Sequence, residues 1–116
     1  MSNVRQARTR RLVQFGMLAN KIKGYRYGVP KSVIAELVDY RLKLTAMQDD
    51  EELSEIAGND LEILELLLDY SKSLNSGEKE KASKLMAEAI AKWDANDKMI
   101  EGMMKDGYKP PGSTQA

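Results

Sequence analysis

The sequence predicts an all-α protein: a small bundle of about four helices with a long C-terminal helix and a disordered C-terminal tail. Three observations predict it. Apolar residues recur at three- and four-residue steps in four separate stretches, the spacing that lines one face of a helix. Gly, Pro or Asn-Ser-Gly breakers separate those stretches. No stretch reads convincingly as a strand. With 116 residues, the chain suits one domain, assigned to residues 1–108, and a tail over 109–116.

The first helix is expected over residues 4–23, with Ser2 or Asn3 as its cap. Leu12, Phe15, Leu18, Ala19 and Ile22 form its apolar stripe. Arg8 and Arg11 fall on the extension of that stripe. The expectation is therefore a helix that docks by its C-terminal part and projects its first two turns into solvent. Gly24 ends it, with Lys21 and Lys23 suited to the negative end of the helix dipole. In the loop that follows, Tyr25 and Tyr27 flank Arg26 and read as packing residues, with stacking on nucleic-acid bases as the alternative.

A second helix starts near Pro30, where a missing N–H costs nothing, and carries Val33, Ile34, Leu37, Val38 and Leu42. The acidic run Asp49, Asp50, Glu51, Glu52 and Glu55 suits a short helix start. Its spacing does not match a calcium loop. Gly58 is expected to break the chain and Asn59 or Asp60 to cap a third helix. Leu61, Ile63, Leu64, Leu66, Leu67, Leu68 and Leu74 make that helix apolar around most of its girth, as befits a central element. After the turn at residues 75–78, a fourth helix is expected from about Gly77 to Met104. Its seam steps by four and three through Ala82, Met86, Ala89, Trp93, Asn96, Ile100 and Met103. Asn96 is the single polar member, suited either to fixing register or to marking where the seam leaves the core. Two prolines, a glycine and small polar residues close the chain and cannot form a packed element.

The composition excludes much chemistry. There is no cysteine and no histidine, so thiolate metal sites, disulfides and the usual general base are all excluded. No serine has a histidine to activate it, and no glycine-rich loop follows a strand. The expectation is a protein that is not an enzyme, takes no cofactor, metal or small-molecule substrate, has no membrane span and works in the cytoplasm.

Net charge is zero, but it is divided along the chain. Residues 1–35 hold eight basic and no acidic residues, residues 36–70 two basic and eleven acidic, and residues 71–116 eight and seven. Such asymmetry is a hint of polyanion contact or of internal pairing. The candidate nucleic-acid-binding residues are Arg5, Arg8, Arg10, Arg11, Lys21, Lys23 and Arg26. The methionine-rich end of the fourth helix suggests an adaptable protein-interaction or self-association surface at Trp93, Asn96, Met99, Ile100 and Met103.

The run Arg8–Gly24, RTRRLVQFGMLANKIKG, resembles the opening motif of the small TraD-type conjugal-transfer proteins of mobilisable plasmids. The matching residues are Arg8, Thr9, Arg10, Arg11, Leu12, Gly16 and Leu18. Met17 stands where that family often has a second glycine. The likeness covers about a seventh of the chain and does not extend through the fourth helix. It implies a helical accessory factor working near a relaxase and a transfer origin. The leading expectation is thus a non-enzymatic accessory protein contacting nucleic acid or a nucleoprotein complex through its basic first helix. The alternative is a protein–protein adaptor or inhibitor without nucleic-acid contact, of which a phage or plasmid counter-defence protein is one kind.

Overall fold

The computed structural model describes residues 3–107, which are helical with short connections. The helices are α1 (Asn3–Arg10), α2 (Met17–Lys23), α3 (Lys31–Met47), α4 (Ser54–Asn75) and α5 (Lys79–Gly107). A π-helical segment, Arg11–Gly16, joins α1 to α2. Arg10 and Gly16 both hold right-handed helical torsions, so α1, the π segment and α2 form one rod, here called helix 1. The all-α bundle expected from the sequence is what is found. The predicted tail, 109–116, lies outside the described residues.

Cross-helix ion pairs give the topology. Lys21 meets Glu36, Arg41 meets Glu65, Lys92 meets Glu62, and Arg8 meets Glu101. Lys21 is late in helix 1 and Glu36 early in α3, Arg8 is early in helix 1 and Glu101 late in α5, and Asn59 and Glu62 of α4 meet Asn96 and Lys92 of α5 in reversed order. With short connections between successive helices, the neighbours therefore run antiparallel in an up-down-up-down bundle. α4 packs most extensively, on α5 and then on α3, while helix 1 touches each neighbour over fewer residues. The bundle is long and narrow, 56 × 23 × 19 Å.

Local chemistry sets the helix ends. Pro30 is extended at φ −60°, ψ 150°, and its carbonyl accepts from the amides of Val33 and Ile34 to start α3. At the α4–α5 turn, Gly77 adopts φ 81°, the left-handed region. The Glu78 amide donates to the Ser73 carbonyl and the Gly77 amide to that of Leu74, the paired bonds of a Schellman stop. The loop before α3 is clamped to the end of α4. Asn75 accepts from the Val29 amide at 2.7 Å and donates to the Val29 carbonyl at 3.1 Å.

Two expectations about α4 are corrected. Its first turn lies before Gly58, which sits inside the helix, and Asp60 is a buried interior residue rather than a cap. The reason is continuity of the apolar stripe. Leu53, Ile56 and Ala57 continue the spacing of Ile63, Leu64 and Leu67, and all are buried. One interior glycine costs about 1 kcal/mol, less than burying Ile56 alone returns, about 1.5–3 kcal/mol. The acidic run does not begin a helix at Asp49. Residues 48–53 are a turn, in which Asp50 Oδ1 accepts from the Glu52 amide.

The main core joins all four long elements around Phe15, Leu37, Leu44, Leu64 and Leu67. A second cluster lies at the end where the chain begins, made by Val4, Ala7, Leu53, Ile56 and Ile100. This overturns the projecting arm: Val4 is 5 % and Ala7 2 % exposed. Small apolar residues one turn apart suffice to dock α1 against the ends of α4 and α5. Leu12, expected in the stripe, is turned largely outward.

Tyr40 stacks on Phe15, with ring centroids 5.0 Å apart. Burial, followed by the charge of Asp60, pushes its phenol up to about 12. The folded chain therefore keeps a proton that the unfolded chain releases near pH 10. Stability from this group is complete below pH 10 and falls as pH rises toward 12, by up to about 3 kcal/mol. Denaturant melts at pH 9 and pH 11 should show a drop that is smaller in Tyr40→Phe. An equal drop in both proteins rejects this origin.

Candidate interaction surface on helix 1

Helix 1 presents three different sides. Its inner side carries Val4, Ala7, Arg11, Phe15, Leu18 and Ile22, all buried. Arg11, expected to reach a polyanion, is instead 1 % exposed. Its Nε donates to both carboxylate oxygens of Asp60, at 3.0 and 2.9 Å. Its Nη1 reaches Asp97 at 3.4 Å and its Nη2 donates to the Trp93 carbonyl at 3.3 Å. The guanidinium carbon lies 3.6 Å from the centroid of the Trp93 ring, a cation–π contact.

Asp60 is held from the other direction by Asn96, whose Nδ2 donates to Oδ1 at 2.8 Å. Asn59 then donates to Asn96 Oδ1 at 3.0 Å. Burial pushes the Asp60 carboxyl up, while the Arg11 guanidinium and the Asn96 hydrogen bond pull it back. The arrangement is a closed polar network whose chemistry is structural: every strong acceptor on Asp60 is occupied.

Two of the five predicted protein-interaction residues are corrected by the same network. Asn96 and Ile100 are buried inside the chain. Trp93 is half-buried against Arg11 and Phe15, and Met99 and Met103 pack on the second cluster. The seam of α5 packs mainly on α4, and Met86, Ala89 and Trp93 also line the groove with helix 1.

The remaining cations of helix 1 and the loop after it reach the surface, Lys23 at the groove with α5. Arg5, Arg10, Lys21, Lys23 and Arg26 are exposed. Lys21 shares an ion pair with Glu36 at 3.3 Å, each side chain 49 % exposed. Arg8 is half-buried, with Nη2 3.8 Å from Glu101 and a buried Nε that has no hydrogen-bond partner among the described residues. Between the two groups of cations lie Val13 and Met17, 55 % and 67 % exposed. Of the flanking tyrosines, Tyr25 packs on the core as expected, whereas Tyr27 is 84 % exposed, with Lys79 Nζ 5.5 Å from its ring centroid.

The third side of helix 1 forms a groove with α5, about 370 Å³ in volume. Gly16, Ala19 and Ala89 line it and leave space between the larger Leu12, Met17 and Ile90. Gly16 faces the Trp93 indole closely enough that a Cβ there would meet Cη2 at 3.5 Å.

Sequence reasoning missed Asp60, Asn59 and Asp97, and missed the groove. A usable signal existed for the first. Arg11 and Asp60 are opposite charges on the apolar stripes of two helices, and Asn96 is the polar member of a third stripe.

Among the described residues, no group of three or more acidic side chains is placed to hold a metal ion, and no helix is long and apolar enough to cross a membrane. Comparison of the chain with protein-family models, with curated proteins and with solved structures finds no match.

Proposed function

We propose that this is a non-enzymatic accessory protein that contacts nucleic acid, or a nucleoprotein complex, through the outer side of helix 1 and the loop after it. The observation that carries this reading is the exposure of Arg5, Arg10, Lys21, Lys23 and Arg26 on a segment without a single acid. Arg5 to Lys23 spans about 27 Å of helix at 1.5 Å per residue, enough to follow several phosphates of one backbone. Arg11 is not part of this surface, and Arg8 contributes only through its exposed end. The TraD-like run thereby divides in two. Arg11 and Leu18 serve the fold, while Arg10 and the cations beyond the run's middle serve contact. The likeness supports a nucleoprotein target near a plasmid transfer origin.

With about four or five phosphates neutralised, log K should fall against log salt with a slope near −4. Fluorescence anisotropy with duplex and single-stranded DNA and with RNA measures this directly. The variant with Arg5, Arg10, Lys21 and Arg26 changed to alanine should lose about 100-fold or more in affinity at low salt. Changing Lys81 and Lys84 on the exposed side of α5 should leave affinity unchanged. No binding at low salt, or equal losses in both variants, ends this reading.

A second reading is favoured by Val13 and Met17, apolar residues exposed among the cations. An apolar centre with a charged rim is the anatomy of a protein interface. On this reading the protein is an adaptor or inhibitor that docks an acidic protein surface. Val13→Ser, on the Arg5–Arg10 face, would then weaken partner capture while leaving nucleic-acid affinity as it was.

A further inference from the structure

We infer that the groove between helix 1 and α5 is the docking site for a second copy of this chain. The inference goes beyond the proposed function, because the groove lies on a different side of helix 1 from the Arg5–Arg10 face and shares only Lys23 with the proposed nucleic-acid surface. Three large apolar side chains at the groove remain open to solvent: Leu12 at 43 %, Met17 at 67 % and Ile90 at 42 %. Small residues between them leave a concave floor, so a protruding apolar side chain from elsewhere has a place to enter. Met17, the most exposed of the three, is such a side chain, and its unbranched thioether fills irregular gaps.

Charge decides what that second surface is. The groove is lined by one cation and one anion, Lys23 from helix 1 and Asp94 from α5, both exposed. Neither forms an ion pair among the described residues. They lie toward opposite ends. Asp94 follows Trp93, which packs on Gly16, whereas Lys23 is two helical turns beyond Gly16. A two-fold axis in the mouth of the groove, across the line from Lys23 to Asp94, brings each Lys23 to the partner's Asp94. Such a face carries its own countercharge and is complementary to itself, the condition for a closed, isologous dimer. An acidic or a basic partner would satisfy one end and oppose the other.

The test is solution mass against concentration, by sedimentation equilibrium from about 1 to 500 μM, with circular dichroism as a check that each variant is folded. The wild-type chain should pass from monomer to dimer within that range. Met17→Glu, at an exposed position, should stay folded and monomeric. Lys23→Glu and Asp94→Lys should each weaken association roughly fivefold or more, and together should restore it to within about twofold of wild type. The inference is overturned by a wild-type monomer at every concentration, by a dimer indifferent to Met17→Glu, or by charge variants whose losses simply add. None of these readouts involves nucleic acid, so the proposed function stands or falls separately.

Discussion

Asp60→Ala should destabilise the protein by about 3–5 kcal/mol, the cost of leaving a buried guanidinium without its carboxylate. Arg11 has no route to water. It is 1 % exposed, and its Nε is committed to Asp60 in two short hydrogen bonds. The surviving contacts, to Asp97 at 3.4 Å and to the Trp93 carbonyl at 3.3 Å, are longer and cannot replace them. Arg11→Ala should cost a comparable amount, because it leaves the Asp60 carboxylate buried and removes the cation stacked on Trp93. The double variant Arg11→Met, Asp60→Leu separates pair from packing. Desolvating two ions offsets much of their attraction, so an apolar pair of similar volume should recover most of the loss. Urea melts of wild type, Arg11→Met, Asp60→Leu and the double variant form the cycle. A single-variant cost below about 1 kcal/mol is what exposed ion pairs give, and it would show that the pair is not buried in solution.

This network also marks what was legible in the sequence. Helices were legible wherever apolar spacing and breakers agreed, as at Gly24, Pro30 and Gly77. Gly58 was misread because a single glycine was weighed against no knowledge of what Ile56 and Ala57 bury. The projecting arm was misread for a related reason. Val4 and Ala7 are too small and too few to register as a stripe, and their value comes from Ile56 and Ile100, which are distant in sequence. The spacing puts Arg11 on the inner side of helix 1, but a charged residue there reads locally as exposed. Its partner lies 49 positions away, and no local pattern reports that distance. The groove was invisible because it is an absence, made by Gly16, Ala19 and Ala89 meeting across two helices. The exposed cations were legible because exposure of Lys and Arg is the ordinary outcome.

Phe15→Ala should cost about 3–5 kcal/mol, the range for removing a buried aromatic, and lower the melting temperature by roughly 15–25 °C for a domain of this size. Phe15 is fully buried and is the point where three helices meet through their rings. It stacks on Tyr40 of α3 at 5.0 Å and meets Trp93 of α5 at 5.5 Å with the planes tilted 56°. Helix 1 packs on each neighbour over few residues, so it has no wide interface to compensate for the loss. The expected consequence is uneven. Hydrogen exchange should accelerate first in helix 1, while the α4–α5 hairpin keeps most of its protection. Phe15→Leu, which keeps volume but loses the ring contacts, should fall between wild type and Phe15→Ala. Because the proposed contacts all lie on helix 1 and its loop, loosening it should weaken nucleic-acid binding before the chain unfolds. Uniform loss of protection across all helices would instead mean that helix 1 is an inseparable part of one cooperative unit, and that Phe15 serves the whole bundle rather than the docking of its basic element.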